Sequence, residues 1–275
     1  MSRPVLQSQK LSLGYGDKTI IDCLDLNIPE GKVTTLIGAN GCGKSTLLRS
    51  MARLLKPLSG SVLLDGKDVF TSSTKEIARQ LAILPQSPVA PEGMTVLQLV
   101  RQGRYPHQNW LKQWSEEDEH CVKEALEATN MSELAERAVD SLSGGQRQRA
   151  WIAMTLAQNT PVILLDEPTT YLDLSHQIEI LDLLFELNRN SGRTVVMVLH
   201  DLNLACRYAD NIVAVKQGQI YAHGTPEKVI TSELVRQVFG LESRIVPCPL
   251  FGTPTCIPEG KGRKAGDHLR LAKMA

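Results

Sequence analysis

Gly38-Ala39-Asn40-Gly41-Cys42-Gly43-Lys44-Ser45 fits G-x-x-x-x-G-K-[ST], directly after an apolar strand and before a helix. Glycines at these spacings let backbone N–H groups wrap phosphates with no Cβ in the way. In that setting Lys44 reaches the β- and γ-phosphates, and the Ser45 hydroxyl ligates Mg2+. A second run, Leu142-Ser143-Gly144-Gly145-Gln146, opens a helix rich in Gln and Arg and leaves further N–H groups free to face an anion. A third, Val162-Ile163-Leu164-Leu165-Asp166-Glu167, is an apolar strand that runs out into two acids. Neighbouring strand residues point to opposite faces, so the two carboxylates can take different tasks. Asp166 is suited to hold Mg2+ through water, and Glu167 to polarise an attacking water as general base. Two phosphate-facing elements so far apart in sequence suggest one nucleotide held between two copies of the chain.

Those residues need elements to position them. Leu6, Leu11 and Leu13, then Ile20 to Ile28, alternate with polar residues around Gly14, Gly16 and Asp17, the pattern of antiparallel strands. Lys32–Ile37 reads as a buried strand ending at Gly38, followed by a helix from Lys44 to Leu55 that Lys56-Pro57 stops. Strands are expected at 61–64 and 81–84, with a short helix at 75–80. From Thr95 to about Arg137 the pattern turns helical and polar, with Ser115-Glu116-Glu117-Asp118 as a capping box. That stretch reads as a lobe inserted between strands. Helix and strand then alternate: helices at 143–158, 175–189 and 202–208, strands at 162–165 and 194–199, and a hairpin around Gln217-Gly218. Such alternation predicts an α/β fold whose largely parallel sheet binds its ligand at the C-terminal strand ends. Beyond Ile245 the chain is rich in Pro, Gly and Lys without periodicity, so residues 246–275 are expected to be loosely held.

Composition narrows the partners. Lys plus Arg and Asp plus Glu are both 30, so no net charge draws the chain to nucleic acid or anionic lipid. The six cysteines form no C-x-x-C pair, which points to reduced thiols. Cys248 and Cys256 are the one pair left open. The N-terminus lacks the apolar region of a signal peptide, and the longest apolar runs are strand-sized. A soluble protein is expected, associating with a membrane only through a partner.

With Gly38–Ser45, Leu142–Gln146 and Val162–Glu167 in this order, residues 3–245 resemble the ATPase subunit of an ABC transporter. The resemblance implies a P-loop NTPase with a RecA-like core, an antiparallel β-subdomain and a helical subdomain inserted at about residues 87–160. It implies ATP and Mg2+ as ligands. It places Tyr15 on the adenine, Gly38, Asn40, Gly41, Gly43, Lys44, Ser45 and Thr46 on the phosphates, and Ser45, Gln86 and Asp166 around the metal. Glu167, Gln86 and His200 become the catalytic set, with His200 contacting the γ-phosphate. Ser143, Gly144, Gly145, Gln146 and Asp173 are the residues lent across the interface of a homodimer. A permease embedded in the membrane is the further partner, gripped near Gln86 and Arg104–His107. A periplasmic or surface binding protein acts indirectly, and no nucleic acid is involved. The chain is then expected on the cytoplasmic face of the inner membrane.

Finer stretches agree with ATPase subunits that energise import of ferric siderophores and related chelates. They are Gly103–Gln108, Gln146–Met154, Thr169–Gln177 and His200–Tyr208. Together these are most similar to the ferric enterobactin type, implying a catecholate siderophore as cargo. Cobalamin or haem as cargo, or an ABC ATPase outside transport, remain as alternatives. DNA-repair members carry long coiled-coil or zinc insertions and translation members usually two cassettes, none of which this sequence contains.

Overall fold

The computed structural model describes residues 4–108, 114–170 and 172–260. Two long strands come first, β1 (Pro4–Tyr15) and β2 (Lys18–Pro29), paired antiparallel through a two-residue turn at Gly16-Asp17. Next are β3 (Val33–Ile37) and α1 (Lys44–Met51). Strands β4 (Ser59–Leu64) and β5 (Lys67–Asp68) then return to complete an antiparallel sheet in the order β2-β1-β4-β5. Helix α1 is shorter than the expected 44–55. Arg53 adopts φ 64, and the N–H groups of Leu54 and Leu55 fold back onto the Arg49 carbonyl, so the helix closes before Lys56-Pro57 can act.

Helix α2 (Thr74–Ala78) leads into β6 (Leu81–Leu84). Helices α3 (Val96–Gln102), α4 (Glu116–Ala128) and α5 (Gly144–Ala157) follow before β7 (Val162–Leu165). Ser115 caps α4 reciprocally with Asp118, as its sequence predicts. Helix α5 packs on both α3 and α4 and reaches β6.

Helix α6 (Leu174–Ser191), β8 (Thr194–Val198), α7 (Leu202–Tyr208), β9 (Asn211–Lys216) and β10 (Gln219–Gly224) complete the central sheet. Its order is β10-β9-β3-β8-β7-β6, parallel except for the edge strand β10. Both faces are covered, which is why β3, β7 and β8 are apolar or buried at every position. Alternate residues feed two cores. Leu36, Leu164, Val196 and Val213 pack towards α1 and the antiparallel sheet, while Ile37, Leu165, Met197 and Ala214 pack towards the helices.

Short helices α8 (Pro226–Val229) and α9 (Ser232–Phe239) precede β11 (Ser243–Pro247) and β12 (Pro254–Pro258). The last two strands form an antiparallel hairpin, so the expected loose tail is corrected for residues 246–260. Cys256 is buried, and its backbone N–H donates to Asn203 Oδ1 on α7 at 2.7 Å while its carbonyl accepts from Asn203 Nδ2 at 3.3 Å. The Phe251 ring lies 4.1 Å from the Arg207 guanidinium of the same helix. The expectation for residues 261–275 falls outside the described residues. Cys248 and Cys256 are unbridged. Among the described residues no helix is long and apolar enough to cross a membrane.

Candidate functional site

Strands β3, β8, β7 and β6 are adjacent and parallel, so their C-terminal ends open on one side. Each delivers part of the site: the Gly38–Ser45 loop after β3, His200 after β8, Asp166-Glu167 after β7, and Gln86 after β6. A cleft of about 540 Å3 lies there, lined by Asn40, Gly41, Gly43, Lys44, Ser45 and Thr46 on one side and Gln86, Glu167 and His200 on the other.

The loop conformation requires its glycines. Gly38 has φ 150, and a Cβ there would sit 2.3 Å from the Val215 carbonyl oxygen. Gly43 has φ 109 and ends the loop as N-cap of α1 without a side-chain cap, so the first amides of α1 are left free for an anion. Lys44 is buried, and its Nζ donates to the carbonyls of Gly38 at 2.8 Å and Ala39 at 3.0 Å, folding the charge back across the loop. Cys42 is also buried, its Sγ 3.9 Å from that Nζ.

Asp166 is 1% exposed. Burial pushes its carboxyl above the usual aspartate range, against the hydrogen bond in which Ser45 Oγ donates to Oδ1 at 2.8 Å. Its Oδ2 is buried with no hydrogen-bond partner among the described residues. A hydroxyl, a carboxylate and one unsatisfied buried carboxylate oxygen are hard oxygen donors, and they fit Mg2+.

Glu167 stands at φ 56, in the left-handed region that a glutamate adopts only when its surroundings hold it there. Gln86 Nε2 donates to Oε2 at 2.7 Å and Thr170 Oγ1 to the same oxygen at 3.0 Å, while His200 Nε2 lies 2.7 Å from Oε1. Burial alone raises this carboxyl, but the His200 hydrogen bond and charge, with Thr170 and Gln86, outweigh it and hold Glu167 below the usual range. It is therefore a carboxylate at neutral pH, as a general base must be.

Other expected residues lie elsewhere. Tyr15 ends β1 with 48% of its surface exposed and does not line the cleft. Lys18 and Ile20 of β2 do, and the sequence reading missed them. Their signal was the turn itself, because a two-residue hairpin sends the start of β2 back past Tyr15. Ser143, Gly144, Gly145 and Gln146 form a reciprocally capped start to α5 outside this cleft, with open space over Gly144. Asp173 caps α6 and is likewise outside it. The expected grip near Gln86 and Arg104–His107 is corrected in part. Arg104 is 1% exposed and bonded to Asp118 at 2.7 Å and to the Ala157 carbonyl at 3.0 Å, and Gln86 is turned onto Glu167. Tyr105, at 75%, is the exposed side chain of that group.

Known proteins resemble this chain in sequence and in fold. The sequence profile of the family described as ABC transporter matches residues 21–170, more than half of the chain. Petrobactin import ATP-binding protein FpuD of Bacillus anthracis is 68% identical over 267 residues, covering 97% of this chain and 98% of that protein. The "Probable siderophore transport system ATP-binding protein YusV" of Bacillus subtilis is 66% identical over 263 residues, 96% of each. Ferric enterobactin transport ATP-binding protein FepC of Escherichia coli is 50% identical over 256 residues, 93% of this chain and 94% of that one. Among solved structures, a chain of a transporter assigned to the metal-chelate ABC type, in an inward-facing conformation, superposes with TM-score 0.80. It is 28% identical over 94% of this chain and 98% of that one. A dimeric bacterial ABC transporter cassette gives TM-score 0.72 at 29% identity, over 80% and 98%. Carrying the phosphate loop, the paired acids and the strand-end histidine on one such sheet, this chain belongs to the ABC transporter family as an ATP-binding protein.

Proposed function

We propose that two copies of this chain hydrolyse ATP to power import of a ferric siderophore, of the catecholate class, through a permease embedded in the membrane. One observation carries the catalytic reading: Glu167, held by Gln86 and His200, faces Lys44 and Ser45 across a single cleft. The loop amides and Lys44 bind the β- and γ-phosphates, which requires Lys44 to leave the Gly38 and Ala39 carbonyls. Ser45 and Asp166 are the residues that hold Mg2+, which supplies charge neutralisation at the phosphates. Glu167 takes a proton from the attacking water, and Gln86 and His200 orient that water and the γ-phosphate. Tyr15 stacks on the adenine beside Lys18 and Ile20.

Ser143, Gly144, Gly145 and Gln146 cover the ATP of the other copy, with Asp173 beside them; the Ser143 and Gln146 amides are taken up by their reciprocal cap, so Gly144 and Gly145 offer theirs. Their position outside the chain's own cleft and the dimeric cassette among the relatives support this two-chain site. The cargo follows from the relatives, whose names specify siderophore, petrobactin and ferric enterobactin. The permease places the chain on the cytoplasmic face of the membrane, and Tyr105 is the side chain we assign to that contact.

Reconstitution tests the function. Magnesium-dependent ATPase activity should rise when the chain is assembled with its permease and siderophore-loaded binding protein. Cells lacking the chain should lose uptake of radiolabelled ferric siderophore. Stimulation by cobalamin-loaded or haem-loaded binding protein instead would overturn the cargo, and absence of any ATPase activity would overturn the reading as a whole.

A further inference from the structure

His176, in the first turn of α6, touches both segments that the two-chain reading assigns to the other copy's ATP. Its Nδ1 lies 2.6 Å from Asp173 Oδ1, and its backbone N–H donates to the same oxygen at 3.0 Å. Ser175 Oγ donates there as well, at 2.9 Å. The Asp173 side chain is nevertheless 66% exposed, so this oxygen is fixed while the carboxylate still faces outward. The imidazole also packs on Gly145. A Cβ built on Gly145 would meet His176 Cγ and Cδ2, and Leu172 Cδ2, at 3.6 Å each. The ring therefore fills the space beside a residue with no side chain, at the start of α5.

Two further bonds tie the same loop down. Gln148 of α5 donates Nε2 to the Pro168 carbonyl at 2.9 Å, and Gln177 of α6 donates Nε2 to the Leu172 carbonyl at 2.9 Å. Pro168 follows Glu167 directly, and Thr170 in this loop donates to the Glu167 carboxylate. The start of α5, the Asp173 loop and the general base are thus linked through short, specific contacts.

We infer that His176 is a positioning residue for the shared ATP site, its ring locking Asp173 to the Gly144-Gly145 start of α5 so that both are presented to the other copy as one rigid unit. The inference rests on the two-chain reading. Without the ring, Asp173 keeps its backbone cap but swings independently of α5, and the surface offered to the partner's ATP is no longer preorganised.

The test separates this role from general support of the fold. His176 does not line the chain's own cleft. His176→Ala should therefore leave monomer ATP affinity and thermal midpoint unchanged while kcat falls about 10- to 100-fold. ATP-driven dimerisation in a Glu167→Gln background, followed by light scattering, should weaken in parallel. His176→Asn keeps a donor near the Nδ1 position and should recover part of the loss. Wild-type kcat and dimerisation in His176→Ala would overturn the inference, and so would losses matched by a lower melting point and weaker monomer binding. Ser143→Arg serves as control. If it is inactive while His176→Ala is normal, only the role of His176 fails; if Ser143→Arg hydrolyses ATP normally, the two-chain site itself fails.

Discussion

His200 Nε2 sits 2.7 Å from Glu167 Oε1, which joins residues 33 positions apart at the ends of two neighbouring parallel strands. The histidine is half exposed and the carboxylate nearly buried, so the pair lies at the mouth of the cleft with its carboxylate inward. Gln86 holds the other carboxylate oxygen, so the Glu167 carboxylate is oriented from both sides, as the proposed base requires. Such preorganisation is where phosphoryl-transfer enzymes gain most of their rate, because the protein has little covalent chemistry to perform.

Glu167→Gln is expected to keep ATP binding and trap an ATP-bound dimer while lowering kcat at least about 100-fold, the usual contribution of a general base. Single-turnover hydrolysis and equilibrium binding measured on the same preparation check this. Hydrolysis at the wild-type rate would remove Glu167 from the role of base.

The Arg104–Asp118 pair predicts a pH dependence of stability. Burial alone raises the Asp118 carboxyl, but hydrogen bonds from Ser115 and Arg104 outweigh it and leave it below the usual aspartate range. A lowered folded value stabilises the fold above the unfolded pKa, and that contribution is lost as pH falls through the folded one. The urea midpoint should therefore drop in acid, below the ordinary aspartate range. Asp118→Asn should flatten that part of the curve. Arg104→Ala should cost about 3–5 kcal/mol, since it leaves the Asp118 charge buried without its partner. A loss under 1 kcal/mol would contradict the assignment of Arg104 to the interior.

Much of this was legible in sequence because motif and context coincide. The Gly38–Ser45 run is fixed by backbone geometry, and an apolar strand ending in Asp166-Glu167 has one place to go in a parallel sheet. Arg104 was misplaced because an arginine in a polar helical stretch reads as surface. Its burial depends on Asp118 and the Ala157 carbonyl, which sequence spacing does not bring together. Lys18 and Ile20 were missed because contact with the cleft arises from the fold of the hairpin over Gly43. The final strands were missed because Pro247, Pro254 and Pro258 suppress strand signals, although each sits at a strand end where a missing N–H is tolerated.

The hairpin of β11 and β12 depends on Asn203, whose amide pairs with the backbone of Cys256 on both its N–H and its carbonyl. Asn203→Ala leaves that buried N–H without an acceptor, at a cost of about 1–3 kcal/mol. Faster proteolysis between Gly240 and Pro254, with α7 and the ATPase rate followed separately, checks whether the hairpin loosens first. Equal protease resistance in wild type and variant would show that the Phe251–Arg207 contact holds the hairpin without Asn203.

Gly218 supports the cleft from behind. It turns between β9 and β10 at φ 77, donates its N–H to the Cys42 carbonyl at 2.9 Å, and would place a Cβ 2.0 Å from the Ile20 carbonyl oxygen. The nearest atoms that Cβ would meet, in Ile20 and Ile21, are backbone, so no side-chain rotation can relieve the clash. Gly218→Ala also pays for a left-handed backbone that alanine adopts poorly, a destabilisation of more than about 1 kcal/mol. Because Ile20 lines the cleft and Cys42 lies in the phosphate loop, the displacement reaches the loop and the start of β2 beside it. ATP affinity should fall together with the thermal midpoint, whereas Gly66→Ala, in a turn at φ 78 with nothing within 4 Å, should lower the midpoint alone. Isothermal titration of the two variants distinguishes a prop beneath the cleft from backbone strain by itself.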